Sequence, residues 1–229
     1  DDSDMLDKLA TLSNGTYEGL SSEGLAGEDE YPVLDGTITI NTNAYEDSIE
    51  ILRNAFKKLT LNINGDFYVR FKDAVIGNYF IDLYGDGVGI TKQQIQSIDK
   101  IPSYQFKDNK EVTSFDEFQY FTGLSVLSRE AFYGCSNLSS IILPSSLTLI
   151  ELQAFRGTNI SNIFIPKGVK SMQQSTFEEC SNLKEVIFEE DSSLIELKFT
   201  QFRSCSSLIK IELPDTIENM GDYLFKDCI

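Results

Sequence analysis

A phenylalanine recurs at one fixed point of a unit of about 23 residues in the second half of the chain. Its copies are separated by steps of 26, 23, 22, 25 and 23 residues and lie at Phe106, Phe132, Phe155, Phe177, Phe202 and Phe225. An apolar residue stands five positions before each ring, and further apolar columns follow it. Such a period is typical of one supersecondary unit that is copied and stacked. The pattern therefore predicts a solenoid, in which each unit buries its apolar face against its neighbours.

Each unit also contains an alternating, β-branched segment, which is clearest as Ile-Ile-Leu-Pro at residues 141–144. This alternation predicts one short strand per unit, ended by a proline that cannot donate to a ladder. We expect these strands to stack into a short parallel sheet and the phenylalanines to stack on the other side. The step of 22 comes from a shorter turn at 158–160, and the step of 25 from two extra residues at 189–193. Turns tolerate such changes of length.

The same alternation predicts which strand residues face outward, because successive side chains point to opposite faces of a sheet. The predicted outward row is Asp116, Ile142, Phe164, Ile187 and Glu212, and the flanking row is Ser114, Ser140, Asn162, Glu185 and Lys210. Three consecutive apolar side chains in the outward row would form an exposed patch, which often marks a partner site. The alternative is that they only pack against their cross-strand neighbours.

Residues 1–95 do not follow the repeat and predict a small α+β domain with a flexible acidic segment in front. Residues 5–12 suit a short helix, and residues 13–31 are rich in glycine, serine and acids, as a linker is. Strands are predicted at 36–41, 60–64, 66–72 and 74–84, with a helix at 44–59 from its apolar spacing. Asn64 and Gly65 indicate a hairpin turn. We identify no family for this segment.

Composition limits the classes of partner. The chain has 36 acidic and 19 basic residues, a net charge of -17, which argues against nucleic acid and against anionic membrane surfaces. No run of about 18 apolar residues is present, so we expect no spanning helix. The acidic first residues suggest a start trimmed of its leader. The last unit stops just after Cys228, so we expect either a longer natural chain or self-association through this end.

The cysteines share one column, three residues after the ring, and are Cys135, Cys180, Cys205 and Cys228. A buried thiol packs as a small apolar group, so we predict a structural, reduced role for them. A disulfide between Cys180 and Cys205, which stand in adjacent copies, is the alternative.

A partial calcium-loop pattern occurs at residues 82–92, where Asp82 and Asp86 match ligand positions. Calcium prefers six or more oxygen ligands and this loop offers two carboxylates, so a turn before a helix at 91–97 is the simpler interpretation. The chain has no histidine and no catalytic motif that we recognise, so we predict no catalytic residue, no bound metal and no cofactor.

The combined columns, L-x-x-I-x-x-x-A-F-x-x-C-x-x-L-x-x-I-x-L-P over residues 98–229, resemble the BspA-like class of leucine-rich repeat. This class occurs in surface proteins of Bacteroidetes such as Bacteroides, and in some protozoan parasites. The resemblance implies a non-enzymatic adhesion module on the outer cell surface, with a protein partner from the host extracellular matrix or another bacterial surface. A lipoprotein anchor outside this sequence would be its only attachment to a membrane. Asn109 and Thr158 depart from the cysteine column.

The predicted organisation is therefore an α+β domain at 1–95, followed at 96–229 by a leucine-rich-repeat solenoid of five to six units. In the first functional interpretation, the sheet face binds a protein. In the second, the solenoid is a spacer that presents an N-terminal domain, which binds the ligand. A third gives that domain a glycan ligand stacked on tyrosine and phenylalanine, although the chain has no tryptophan.

Overall fold

The computed structural model describes residues 36–40, 44–46, 50, 59–63 and 66–228. The described chain divides into two compact units. One contains the residues up to Arg70 together with 88–92, and the other contains 71–87 together with 93 onward. The predicted helix at 5–12, the linker at 13–31, most of the helix at 44–59 and the turn at Asn64 and Gly65 lie outside the described residues.

The first unit contains two parallel pairs of strands. Strand β1 (Gly36–Ile40) pairs with a later strand, which we number β3 (Leu59–Ile63), along its whole length. Strand β2 (Ala44–Tyr45) pairs with β4 (Phe67–Tyr68). The predicted strands at 36–41 and 60–64 are confirmed, whereas the one at 66–72 is shortened to two residues. In the described part of the chain, β3 and β4 do not pair with each other as the predicted hairpin requires.

Residues 74–84 form a helix, α1 (Ala74–Tyr84), so the predicted strand there is wrong. Asp73 begins the helix, because its Oδ1 accepts hydrogen bonds from the backbone N–H groups of Val75 and Ile76 at 3.0 and 3.1 Å. Ile76 and Phe80 lie four residues apart on the buried face, which is helical spacing. A second helix, α2 (Lys92–Gln96), confirms the helix predicted at 91–97.

Helix α1 covers the first end of the stacked units, which we call coils. The rings of Tyr79 and Phe106 lie 5.2 Å apart, and those of Phe80 and Phe121 lie 4.7 Å apart. The second oxygen of Asp73 accepts hydrogen bonds from the backbone and the hydroxyl of Thr113. One carboxylate thus begins the helix and ties it to the first coil. The domain boundary near residue 95 stays a prediction.

Each coil contributes up to two short strands, where the sequence predicts one. The strands are β5 (Ser114–Phe115), β6 (Val126–Leu127), β7 (Ser140–Ile141), β8 (Leu149–Ile150), β9 (Asn162–Ile165), β10 (Ser171–Met172), β11 (Glu185–Phe188), β12 (Glu196–Leu197), β13 (Lys210–Ile211) and β14 (Asn219–Met220). Their pairing is parallel throughout. A 3-10 helix, Asp116–Tyr120, follows β5 and makes the first step longer than the others.

The steps of 22 and 25 residues each coincide with a break in one ladder. Among the described residues the first ladder forms two sheets, β5-β7 and β9-β11-β13, and the second forms β6-β8-β10 and β12-β14. The shorter turn at 158–160 immediately precedes β9, and the extra residues at 189–193 immediately precede β12. A change of turn length shifts the entry of the next strand, so it interrupts the ladder that this strand would have joined.

The phenylalanines stack as predicted. The centroids of successive rings lie 5.4, 5.7, 5.4, 5.8 and 5.7 Å apart, with nearly parallel planes. Backbone bonds join the coils on this side, as where the N–H of Phe132 donates to the carbonyl of Ala154 at 2.9 Å. Removal of a fully buried phenylalanine ring typically costs about 3–5 kcal/mol. The stack is therefore a main source of stability.

The residues two positions before and two positions after each ring have left-handed backbone conformations, with φ between 52° and 68°. Glycine occupies only two of these twelve sites, Gly134 and Gly157. A side chain at Gly134 would also overlap the carboxylate of Asp108 in the preceding coil. Two tight bends therefore bracket every ring and hold it pointing inward.

Candidate binding face

The structure leaves the three central residues of the outward row exposed and places two of them on paired strands. Phe164 of β9 lies directly opposite Ile187 of β11 in the parallel ladder. Ile142, Phe164 and Ile187 are 44%, 48% and 41% exposed, whereas Ile163 and Ile165 on either side of Phe164 are buried. We call these three exposed residues the apolar patch.

The two ends of the outward row differ. Asp116 is the first residue of the 3-10 helix; its Oδ2 accepts from Lys72 Nζ at 2.6 Å and its Oδ1 from the hydroxyl of Ser140. Burial alone raises the pKa of Asp116, but these hydrogen bonds and the lysine charge outweigh it, so the pKa lies below its ordinary value. Glu212, at the other end, is open to solvent, and its carboxylate lies 3.7 Å from Lys210 Nζ.

The flanking row runs parallel to the patch and is polar. Asn162, Glu185 and Lys210 are in register on three adjacent strands. The ammonium of Lys210 lies 2.9 Å from Glu185, and the hydrogen bond that it donates to this carboxylate raises the pKa of Lys210. Exposed pairs of this kind add little stability. They do give the apolar patch a polar border, which is the usual arrangement around a protein contact.

The cysteine column is a hydrogen-bonded ladder, buried at Cys135, Cys180 and Cys205 and half-buried at Cys228. All four thiols are free, and each Sγ donates to the carbonyl of the phenylalanine in the preceding coil, as from Cys135 to Phe106 at 2.8 Å. Thr158, in the same column, donates instead to the carbonyl of its own coil's Phe155. Burial raises the pKa of Cys135 to about 12 and that of Cys180 to about 11. Thiols held protonated in this way are poor nucleophiles and poor metal ligands.

The calcium candidates lie at and just after the end of helix α1. Asp82 is in the last turns of α1, and Asp86 follows the end of that helix. In the described part of the chain, no group of three or more histidine, cysteine, aspartate or glutamate residues is placed to hold a metal ion.

Further apolar residues outside the outward row are exposed without having been predicted, among them Ile195 and Phe199. These two are 52% and 44% exposed. The sequence alone could have identified both residues, because the residues aligned with Ile195 and Phe199 in the other coils are polar except for Leu152. The pairing of Lys72 with Asp116 was also missed, since it joins residues 44 positions apart.

The opposite, ring-bearing side of the first coils carries paired charges and aromatic rings. Glu130 is buried and accepts hydrogen bonds from Lys107 and Arg129 at 2.7 and 3.0 Å. Lys107 Nζ also lies over the rings of Tyr104 and Tyr133. Burial raises the pKa of Glu130, but its two cationic partners outweigh burial and lower it overall. Lys107 and Arg129 are therefore both matched by the carboxylate of Glu130.

None of the helices that the structure describes has both the length and the apolar character that a membrane span requires.

Comparison with known proteins gives one family match. The model of the BspA type leucine rich repeat region matches residues 99–229, in six copies. Among curated proteins, no sequence matches the chain.

Several solved structures are similar. The pneumococcal vaccine antigen PcpA is 25% identical over 46% of this chain, with a TM-score of 0.44. A leucine-rich cell surface protein from Faecalibacterium prausnitzii and a leucine-rich repeat protein from Bacteroides ovatus are each 17% identical, over 90% and 92% of this chain, with TM-scores of 0.41 and 0.39. The chain spans only 26% of PcpA, 65% of the Faecalibacterium protein and 56% of the Bacteroides protein.

Proposed function

The chain belongs to the BspA type leucine rich repeat family, and from that premise we propose that it is a non-enzymatic binding and adhesion module that works outside the cell. Surface proteins with such repeats bind other proteins, so a protein partner is the first expectation. The proposed contact is the outward row, with the apolar patch at its centre. The proposed location is the outer cell surface.

One observation carries this proposal. Ile142, Phe164 and Ile187 are large apolar side chains that remain between two-fifths and one-half exposed, and Phe164 and Ile187 lie opposite each other on paired strands. Isolated exposed apolar residues are common, but a contiguous group with a polar border often marks an interface. Packing between neighbouring strands explains part of their contact but leaves this much apolar surface in water.

The test is a charge placed at the centre of the patch. We expect Phe164→Glu to weaken binding to the partner at least tenfold while leaving the fold intact, because the side chain already contacts water. Phe199→Glu is the matched control, since Phe199 is similarly exposed and lies outside the row. Binding to immobilised extracellular matrix and mucus proteins is measured by surface plasmon resonance. Equal binding by both variants would remove the patch from consideration.

In the spacer interpretation, the N-terminal domain binds a protein or glycan. A truncated chain without this domain distinguishes that interpretation from binding by the sheet face. The cut belongs before Phe71 rather than at residue 95, because α1 packs on the first coil. A truncated chain that keeps its affinity supports the sheet face. A truncated chain that folds but no longer binds supports the N-terminal domain.

We also propose that the last described coil supports self-association. Ile209 and Met220 are 85% and 64% exposed there, and Phe225 is the most exposed of the stacked rings. A second copy would cover these side chains. Light scattering should then show a mass that rises with concentration and falls for Ile209→Asp. A constant monomer mass at high concentration would contradict this.

A further inference from the structure

We propose that the outward row binds an amphipathic basic helix of the partner, lying along the axis of the coils. This inference rests on the proposed function and adds the kind of partner that the row fits. It follows from the spacing of the apolar patch, from the backbone pairing beneath it and from the charges around it.

The spacing of the patch matches a helix. Its three residues come from three successive coils, whose stacked rings are 5.7 and 5.4 Å apart, and paired parallel strands such as β9 and β11 are about 4.8 Å apart. From Ile142 to Ile187 the patch therefore spans about 10–11 Å. A helix advances about 10.5 Å from residue i to residue i+7 and presents an apolar side chain at each intervening turn. An extended strand needs about 13 Å for three side chains on one face.

Strand β11, which carries Ile187, is not an edge strand. It pairs with β9 along its whole length and with β13 at Glu185 and Val186. A partner on this face must contact side chains only. A helix satisfies its own backbone, whereas an extended peptide across a sheet face would leave its N–H and C=O groups without partners.

The charges favour a basic partner. Glu212, at one end of the row, is among the most exposed carboxylates near the patch, at 84%, and Lys210 beside it is closer to Glu185 than to Glu212. Asp116, at the other end, is occupied by Lys72 and Ser140. The whole chain carries -17, which repels acidic helices. We therefore expect lysine or arginine on the partner helix where it approaches Glu212.

The test uses two displayed libraries of equal size, selected against the full chain. One presents a randomised face of 18 residues on a two-helix scaffold. The other presents linear peptides of 18 residues with alternating β-branched positions. Clones from both are then measured against Phe164→Glu, with Phe199→Glu as the control. Circular dichroism and the melting temperature check that both variants remain folded.

We expect clones from the helix library that bind at least tenfold less tightly to Phe164→Glu, keep their affinity for Phe199→Glu and carry net positive charge. Glu212→Lys should weaken the same clones at least threefold. If the Phe164-dependent clones are extended or acidic, the helix inference fails, although the row remains a binding face. If no clone from either library depends on Phe164, the inference also fails, and the matrix-binding measurement decides the proposed function separately.

Discussion

The buried thiol ladder predicts a loss of stability in mild alkali that can be assigned to single residues. In the folded chain Cys135 is fully buried and its pKa is raised from 9.0 to about 12. A group whose pKa is raised by folding stabilises the fold fully below its unfolded pKa and loses that contribution as the pH rises toward the folded value. The window for Cys135 is therefore about pH 9 to 12.

The magnitude follows from the linkage between folding and ionisation. At pH 10 an unfolded thiol with a pKa of 9.0 is about nine-tenths ionised, while the folded thiol stays protonated. One pH unit above the unfolded pKa corresponds to about 1.4 kcal/mol. Cys180 has the same sign, with a folded pKa of about 11. Each of these thiols should therefore remove about 1.4 kcal/mol of unfolding free energy between pH 7.5 and pH 10.

The variant Cys135→Thr isolates this contribution, because Thr158 shows that the column accepts threonine. Urea unfolding is followed by circular dichroism at pH 7.5 and pH 10, with a reductant present. Any packing cost of the substitution is the same at both pH values and cancels in the difference. The wild type should lose about 1.4 kcal/mol more than the variant over this interval. Equal losses in the two chains would refute the argument that burial holds this thiol protonated.

Two further predictions concern other buried groups. Gln201 is fully buried, and neither the nitrogen nor the oxygen of its side-chain amide has a hydrogen-bond partner among the described residues. Gln201→Leu, which introduces the residue found at the equivalent position Leu224 one coil later, should therefore stabilise the fold by about 1–3 kcal/mol. A lower urea midpoint for the variant would contradict this. Glu130→Gln should cost about 1–3 kcal/mol at pH 7, because two cations lose their carboxylate partner. Folding lowers the pKa of Glu130, so that contribution is present above the unfolded value near 4.3 and fades as the pH falls through the folded value. The difference in unfolding free energy between the wild type and Glu130→Gln should therefore be smaller at pH 3 than at pH 7. A difference that is the same at both pH values would contradict the assignment.

The stacking of the solenoid could be predicted because every coil repeats the same evidence. The rings from Phe106 to Phe225 and the apolar columns beside them align without any structural information. The second ladder could not be predicted, because its strands are two residues long and lack the alternating Ile-x-Leu-Pro pattern of the first ladder. Two residues show no alternation, and such strands form only because the coils on either side supply partners.

The misassignment of α1 has a different cause. Residues 74–84 contain enough β-branched and aromatic residues to suit a strand, but Ile76 and Phe80 also lie four residues apart. What decides between the two is Asp73, whose side chain satisfies the first N–H groups of the helix. That carboxylate also binds Thr113, forty residues away in sequence. A contact between residues so far apart in sequence cannot be detected from the local spacing of apolar and polar residues.

The candidate face was predictable in its register but not in its ends. Alternation correctly distinguished Phe164 from the buried residues on either side of it. Asp116 follows the same count, yet it begins a 3-10 helix and pairs with Lys72. The count of residues fixes which way a side chain points only while the strand continues.

The cover that α1 places over the first coil makes the repeat array directional. The rings next to this helix are sealed, whereas Phe225 in the last described coil is 37% exposed. In a linear array each unit is held mainly by its neighbours, so the coil that α1 covers should open less readily than coils farther along the array. Amide hydrogen exchange would then slow coil by coil from Phe225 back to Phe106. The array would therefore open in one preferred direction, with the coil that α1 covers opening last.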